Sequence, residues 1–196
     1  MRSAMLALAV GAAVSASGSW ASAAEGEKAI ANPLIVIKTS EGTIKVELWA
    51  DKAPGTVKNF LRYADEKFYD GTVFHRVIAN FMIQGGGMTA DLRRKATHDP
   101  IKNEAKADLK NARGTIAMAR TGEVDSATSQ FFINVNDNKS LNYAPGNPGY
   151  TVLGKVIAGM DVANKIAKSA TGKGGPFPQD VPVEKVIIKS VRVITP

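Results

Sequence analysis

The segment Phe74-His75-Arg76-Val77-Ile78-Ala79-Asn80-Phe81-Met82-Ile83-Gln84-Gly85-Gly86 sets one arginine and one glutamine into two runs that otherwise read as buried strands. Strand side chains alternate between faces, so Met82 and Gln84 share one face while Phe81 and Ile83 share the other. By the same rule His75 falls with Val73 and Val77, opposite Arg76. The segment Ser129-Gln130-Phe131-Phe132-Ile133-Asn134 repeats the pattern, with Gln130 beside Phe132 on one face and Phe131 beside Ile133 on the core face. In Thr115-Ile116-Ala117-Met118-Ala119 the small Ala117 and Ala119 lie together, which leaves room for a ligand. Placed side by side in one sheet, Arg76, Met82, Gln84, Ala119, Gln130 and Phe132 line a shallow, partly apolar groove whose polar groups fix the orientation of what binds. Strand context alone leaves Arg76 open between a structural cation paired with a carboxylate and a free group of that groove.

Other chemistries find little support. The chain has no cysteine, which excludes disulfides, thiol catalysis and thiolate metal sites. Its two histidines are far apart: His75 reads as a satisfied core histidine, and His98 sits in a polar loop without a companion ligand, so no metal or cofactor is expected. Gly85-Gly86-Gly87 lacks both the dinucleotide spacing and the P-loop lysine, and reads as a turn with close backbone approach. There is no Gly-x-Ser-x-Gly nucleophile motif, and Asn138-Lys139-Ser140 reads as a chance match to a glycosylation sequon. The net charge of +7 raises the question of nucleic acid or an anionic membrane. The densest basic region, Arg93-Arg94-Lys95 with Lys102, Lys106, Lys110 and Arg113, is interleaved with Asp91, Asp99, Glu104 and Asp108 and carries no aromatic residue. It reads as a solvated loop rather than a nucleic-acid surface, since stacking platforms are missing.

The elements that must position the groove follow from periodicity and breakers. Leu34–Thr39 and Gly42–Leu48 read as a strand pair. Pro54 opens a helix whose apolar stripe is Val57, Phe60, Leu61, Ala64 and Phe68. The two strands of the opening segment are followed by a long polar stretch from Gly87 to Arg113, then strands at Thr115–Ala119 and Gln130–Val135. Asn142 to Gly149 is dense in turn formers. A strand from Thr151 to Val156 leads to a second helix near Asp161 that presents Val162, Ala163, Ile166, Ala167 and Ala170, and the stretch from Gly172 to Pro178 breaks it. The last strand, Val183–Ile194, shifts phase near Lys189-Ser190, as a β-bulge would require. Many short strands with two helices predict a closed barrel capped by those helices.

The N-terminus carries Arg2 and then no charge from Ser3 to Ala24, with Ala21-Ser22-Ala23 at its end. This reads as a secretory signal peptide over residues 1–23, cleaved after Ala23, and weakly hydrophobic for a permanent anchor. Residues 24–196 then form one domain with a full core. Export without cysteine points to a bacterial periplasm.

These residues resemble the cyclophilin family of peptidyl-prolyl isomerases, and its bacterial periplasmic members in particular. The markers are Phe74-His75-Arg76-Val77-Ile78, Phe81-Met82-Ile83-Gln84-Gly85-Gly86, Ser129-Gln130-Phe131-Phe132-Ile133 and Gly154-Lys155-Val156, in order within a similarity from about Leu34 to Val193. The resemblance implies a mainly β fold, a closed eight-stranded antiparallel barrel with a helix over each end and a proline-binding groove on its outside. Together with the leader it leads to the expectation of an isomerase, taken as a monomer, that acts on proline-containing unfolded or extended polypeptides during folding of exported proteins. It places the catalytic arginine at Arg76 and the proline pocket at Phe81, Met82, Phe132 and Leu141. Gln84, Ala119, Arg120 and Gln130 then run along the peptide groove, with Tyr150 where many members have histidine. Many members also have tryptophan before the leucine matched by Leu141. This chain has Ser140 there, so weak cyclosporin binding is expected. Two rivals stand beside the enzyme: a proline-peptide binding module without turnover, and a barrel with an apolar interior cavity for a small ligand.

Overall fold

The computed structural model describes residues 32–194, so the leader assigned to residues 1–23 lies outside the described residues. Strands β1 (Leu34–Thr39) and β2 (Thr43–Leu48) form the first hairpin and helix α1 spans Pro54–Asp65. Strands β3 (Thr72–Ile78), β4 (Met82–Thr89), β5 (Thr115–Met118), β6 (Phe131–Asn134) and β7 (Val152–Ala158) lead to helix α2 (Met160–Ala167). Strands β8 (Thr171–Gly174) and β9 (Phe177–Pro182) precede the last strand, β10 (Ile187–Ile194). Eight strands close in the order β1-β10-β3-β4-β6-β5-β7-β2, every pair antiparallel. Closure leaves the barrel with no free sheet edge.

The interior is filled. Ile35, Ile37, Ile44, Val46, Leu48, Ile83, Ile116, Phe131, Ile133 and Ile188 are all fully buried in one core, and Phe60 and Tyr63 of α1 and Ala163 and Ile166 of α2 join it. Alternation in β5 and β6 therefore works as expected, with Ile116, Met118, Phe131 and Ile133 inward and Ala117 and Phe132 in a separate outer cluster with Met82. Bulky side chains occupy the space that an interior ligand would need, which removes the small-ligand barrel from consideration. The long polar stretch is tied down at the start of α1, where the Gly55 and Thr56 backbone N–H groups donate to the Glu104 carboxylate at 3.2 and 2.7 Å. A carboxylate there satisfies otherwise unpaired N–H groups and complements the helix dipole.

Several sequence expectations need correction. Helix α1 ends at Asp65, so Phe68 packs against the core from beyond the helix, and Ala170 is exposed past the end of α2. Gly85-Gly86-Gly87 is not a turn but the middle of β4; the close approach is real, since a Cβ on Gly86 would lie 2.7 Å from the Phe131 ring. The segment read as a break after α2 is the β8-β9 hairpin, a separate two-stranded sheet. The bulge in the last strand is where the phase shift put it: Lys38 pairs with Ser190 and Thr39 with Ile188, leaving Lys189 over.

The correction that matters most for the site is in β3. Phe74 pairs with Gly85 and Arg76 with Gln84, so His75 is an extra residue in β3 with no counterpart in β4. Such a bulge breaks alternation. Phe74 and Val77, three apart, both point into the core, while His75 and Arg76 both line the outer groove.

Candidate active site

Register builds the site as a row across the sheet. Arg76 on β3 lies opposite Gln84 on β4, Gln84 opposite Phe132 on β6, and Phe132 opposite Ala117 on β5. Directly opposed residues sit close enough for side chains to meet, so a cation, an amide, an aromatic ring and a small floor follow one another over four strands. The second amide reaches in from the start of β6, where Gln84 Nε2 donates to Gln130 Oε1 at 2.9 Å. Gly87 makes that possible: a Cβ there would lie 2.4 Å from Gln130 Cγ.

All ten residues expected from sequence, Arg76, Phe81, Met82, Gln84, Ala119, Arg120, Gln130, Phe132, Leu141 and Tyr150, line one groove of about 530 Å3. Phe81 reaches it against strand parity. It belongs to the Ala79-Asn80-Phe81 turn rather than to β4, and Asn80 is in the left-handed region at φ +58°, so Phe81 packs with Met82 and Phe132 instead of with the Ile83 core face. Leu141, Ala119 and Tyr150 pack on the same apolar cluster. The Tyr150 ring meets Phe132 edge-on at 5.7 Å, and the Arg120 guanidinium lies over Tyr150 at 4.6 Å. Arg120 also donates to the Gly149 carbonyl at 3.1 and 3.0 Å and to the Thr121 carbonyl at 2.9 Å. Its charged end is thus spent on holding the Tyr150 loop.

Arg76 is arranged differently. Its side chain is 45% exposed, and its nearest acid is Asp180 of β9, with Oδ2 3.7 Å from Nε. Among the described residues the guanidinium donates no hydrogen bond. A permanently protonated fork of donors therefore stands beside an apolar pocket with its hydrogen-bonding capacity unused.

Sequence reasoning missed three features. The first is the β8-β9 hairpin, which brings Phe177 to the groove wall and within 5.4 Å of the His75 ring. The second is His75 itself, almost fully buried with Nδ1 lacking a hydrogen-bond partner among the described residues. Burial, with the Arg76 and Arg94 charges adding to it, depresses its pKa to about 4. It is therefore neutral and, contrary to expectation, not fully satisfied. The third is a buried asparagine network behind the apolar pocket. Asn111 Nδ2 donates to the Leu141 and Tyr150 carbonyls, Asn134 donates to Asn111 Oδ1 and Thr115 Oγ1, and Asn138 donates to the Phe81 carbonyl at 2.8 Å and to Asn134 Oδ1 at 2.6 Å. Asn134 was legible as a polar residue in phase with Phe132, but its partners come from loops that carry no periodic signal. Asn138 is buried and engaged at its amide, which agrees with reading its sequon as chance.

Comparison with known proteins places this geometry. Residues 34–193 match the family described as cyclophilin type peptidyl-prolyl cis-trans isomerase/CLD. The chain is 54% identical over 163 residues to peptidyl-prolyl cis-trans isomerase B of Escherichia coli (strain K12), covering 82% of this chain and 99% of that protein. It is 52% identical over 160 residues to peptidyl-prolyl cis-trans isomerase A of Dickeya dadantii (strain 3937), covering 82% and 84% respectively. Among solved structures, a cyclophilin type isomerase of Cryptosporidium parvum superposes with a TM-score of 0.70 at 28% identity, over 84% of this chain and 99% of that one. The same parasite protein was solved in the presence of the dipeptide Ala-Pro, with a TM-score of 0.69 at 28% identity over 83% of this chain and 99% of that one. With a match from the first barrel strand to the last, the chain belongs to the cyclophilin type family of peptidyl-prolyl cis-trans isomerases and catalyses rotation about peptidyl-prolyl bonds.

Proposed function

We propose that Arg76 is the catalytic residue of this isomerase and that the substrates are exported polypeptides in unfolded or extended form. The observation that carries the reading is the row Arg76, Gln84, Phe132, with an unspent guanidinium beside an apolar pocket. Rotation about a peptide bond is opposed by ~18 to 20 kcal/mol because resonance gives the C–N bond partial double-bond character. No bond is made or broken, so neither nucleophile nor metal is needed. In the twisted amide the resonance is lost and the prolyl nitrogen becomes pyramidal, with a lone pair open to a donor. A guanidinium N–H aimed at that nitrogen stabilises the twisted state more than either planar state, which is what accelerates a reaction. Phe81, Met82, Phe132 and Leu141 hold the pyrrolidine ring, while Gln84 or the Arg120 backbone holds the turning carbonyl. Only the acyl side then rotates. The Ala-Pro dipeptide used with the parasite relative supports proline as the group recognised.

A coupled assay on a proline tetrapeptide tests this. Arg76→Ala is expected to lower kcat/KM by about 10²-fold or more, as removal of one aimed donor does elsewhere; unchanged turnover refutes the assignment.

Export to the periplasm rests on the leader over residues 1–23. Sequencing the N-terminus of the protein from cells is expected to find Ala24 first, and a retained leader contradicts it. Ser140 is exposed beside Leu141, where a tryptophan would add apolar contact, so cyclosporin binds weakly and inhibition at nanomolar concentration would overturn that reading.

A further inference from the structure

The β8-β9 hairpin stands outside the barrel sheet, yet it touches the site at two points: Phe177 packs on His75, and the Asp180 carboxylate approaches Arg76. We propose that Asp180 is a positioning residue for Arg76, so that this hairpin is a working part of the isomerase and not a surface decoration. The proposal rests on the reading of Arg76 as the catalytic donor.

Three observations support it. First, Asp180 is itself held in place. Its neighbour Val181 is buried, Gly172 and Thr171 pair with Val181 and Pro182, and the Asp180 backbone is in the left-handed region at φ +66°. Aspartate tolerates that conformation better than most residues, and there it turns the carboxylate toward β3. Second, the β3 bulge puts Arg76 next to His75, so the Phe177 contact docks the hairpin directly against the residue that precedes the arginine. Third, the separation of 3.7 Å is at Nε and is not a hydrogen bond. An arginine side chain has high rotamer entropy, and one that is 45% exposed with no hydrogen bond among the described residues would otherwise sample many directions. A carboxylate at this distance attracts the guanidinium and narrows that range while leaving its N–H groups for the prolyl nitrogen. A tighter, bidentate pair would consume the donors. An example within the same molecule is Arg192, both of whose Nη groups are spent on Asp70 at 2.9 and 2.6 Å.

The test compares wild type, Asp180→Asn, Asp180→Glu, Arg76→Ala and the Arg76→Ala/Asp180→Asn double variant. Exchange between the isomers of a proline tetrapeptide, followed by NMR line shape across a peptide titration, gives turnover and affinity separately. Asp180→Asn is expected to lower turnover about fivefold and affinity by less than about twofold, with Asp180→Glu recovering part of the loss; couplings between neighbouring residues are of this size. The Arg76 Nε–H resonance is expected to shift and broaden in Asp180→Asn. In the Arg76→Ala background Asp180→Asn should change nothing further, because its effect acts through the arginine. Unchanged or raised turnover in Asp180→Asn, alongside a collapse in Arg76→Ala, overturns the positioning role alone. An equal loss in the Arg76→Ala background also overturns it, by showing a general structural effect. Wild-type turnover in Arg76→Ala overturns both this proposal and the reading on which it rests.

Discussion

His75 shows how one extra residue in a strand sets the chemistry of its neighbours. The bulge turns the imidazole out of the core and under Phe177, where burial keeps it neutral down to about pH 4. An unfolded histidine takes up its proton near pH 6.5. The unfolded chain thus binds more protons between these values, and stability that is complete above pH 6.5 falls as the pH drops toward 4. From the two pKa values the loss at pH 5 relative to pH 7 is about 2 kcal/mol. Carboxylates contribute in a lower window. Asp70, held below its usual range by hydrogen bonds and charge from Arg192, loses its stabilising effect only as the pH falls below about 4. Urea midpoints of wild type and His75→Gln at pH 7 and pH 5 isolate the histidine: wild type should lose about 2 kcal/mol more than the variant, and equal losses would contradict the assignment. The orientation of His75 was not legible in the sequence. Alternation predicts one face per parity, but a bulge is a property of two strands in register, and Phe74 and Val77 look apolar on either count. Gln84, Gln130 and Phe132 were legible because β4 and β6 pair without interruption around them.

At the scale of elements, the proline pocket is assembled from pieces that do not touch in sequence. Phe81 comes from the β3-β4 turn, Leu141 from the 3-10 turn at Lys139–Leu141, and Tyr150 from the approach to β7. What they share is a backbone carbonyl bonded to Asn111 or Asn138, with Asn134 joining the two. Removing the Asn134 side chain strands buried donors and acceptors, each costing about 1 to 3 kcal/mol. Asn134→Ala is therefore expected to lower stability by about 2 to 3 kcal/mol in urea titration, and at permissive temperature to weaken proline-peptide affinity more than a core truncation of equal cost. Affinity at the wild-type level would contradict the network's part in shaping the pocket. The β8-β9 hairpin was illegible for a similar reason. Gly172, Gly174, Gly175, Pro176 and Pro178 read as breakers, and only contacts with β3 and with Leu92 reveal that the segment is paired and packed.

For the whole molecule, barrel closure explains why a groove on the outside can be so well defined. The inward residues of β4, β5 and β6 pack in one filled core, so the outward Gln84, Phe132 and Ala117 of the same strands are fixed by parity, and Arg76 on β3 joins their row through the bulge at His75. In β5 and β6 the inward and outward sets could be read from alternation, and the closed eight-stranded barrel from the family resemblance. The neighbours of Arg76 could not, because Asp180 follows it by more than a hundred residues and lies in a segment with no periodicity. The central claim is that this rigid row presents a free cationic donor to a rotating prolyl amide. Line-shape NMR on a proline tetrapeptide at saturating concentration, wild type beside Arg76→Ala, tests it most directly. A fall in turnover of about 10² to 10³-fold with peptide affinity within a few-fold of wild type is the predicted result, and wild-type turnover without the guanidinium would contradict the account.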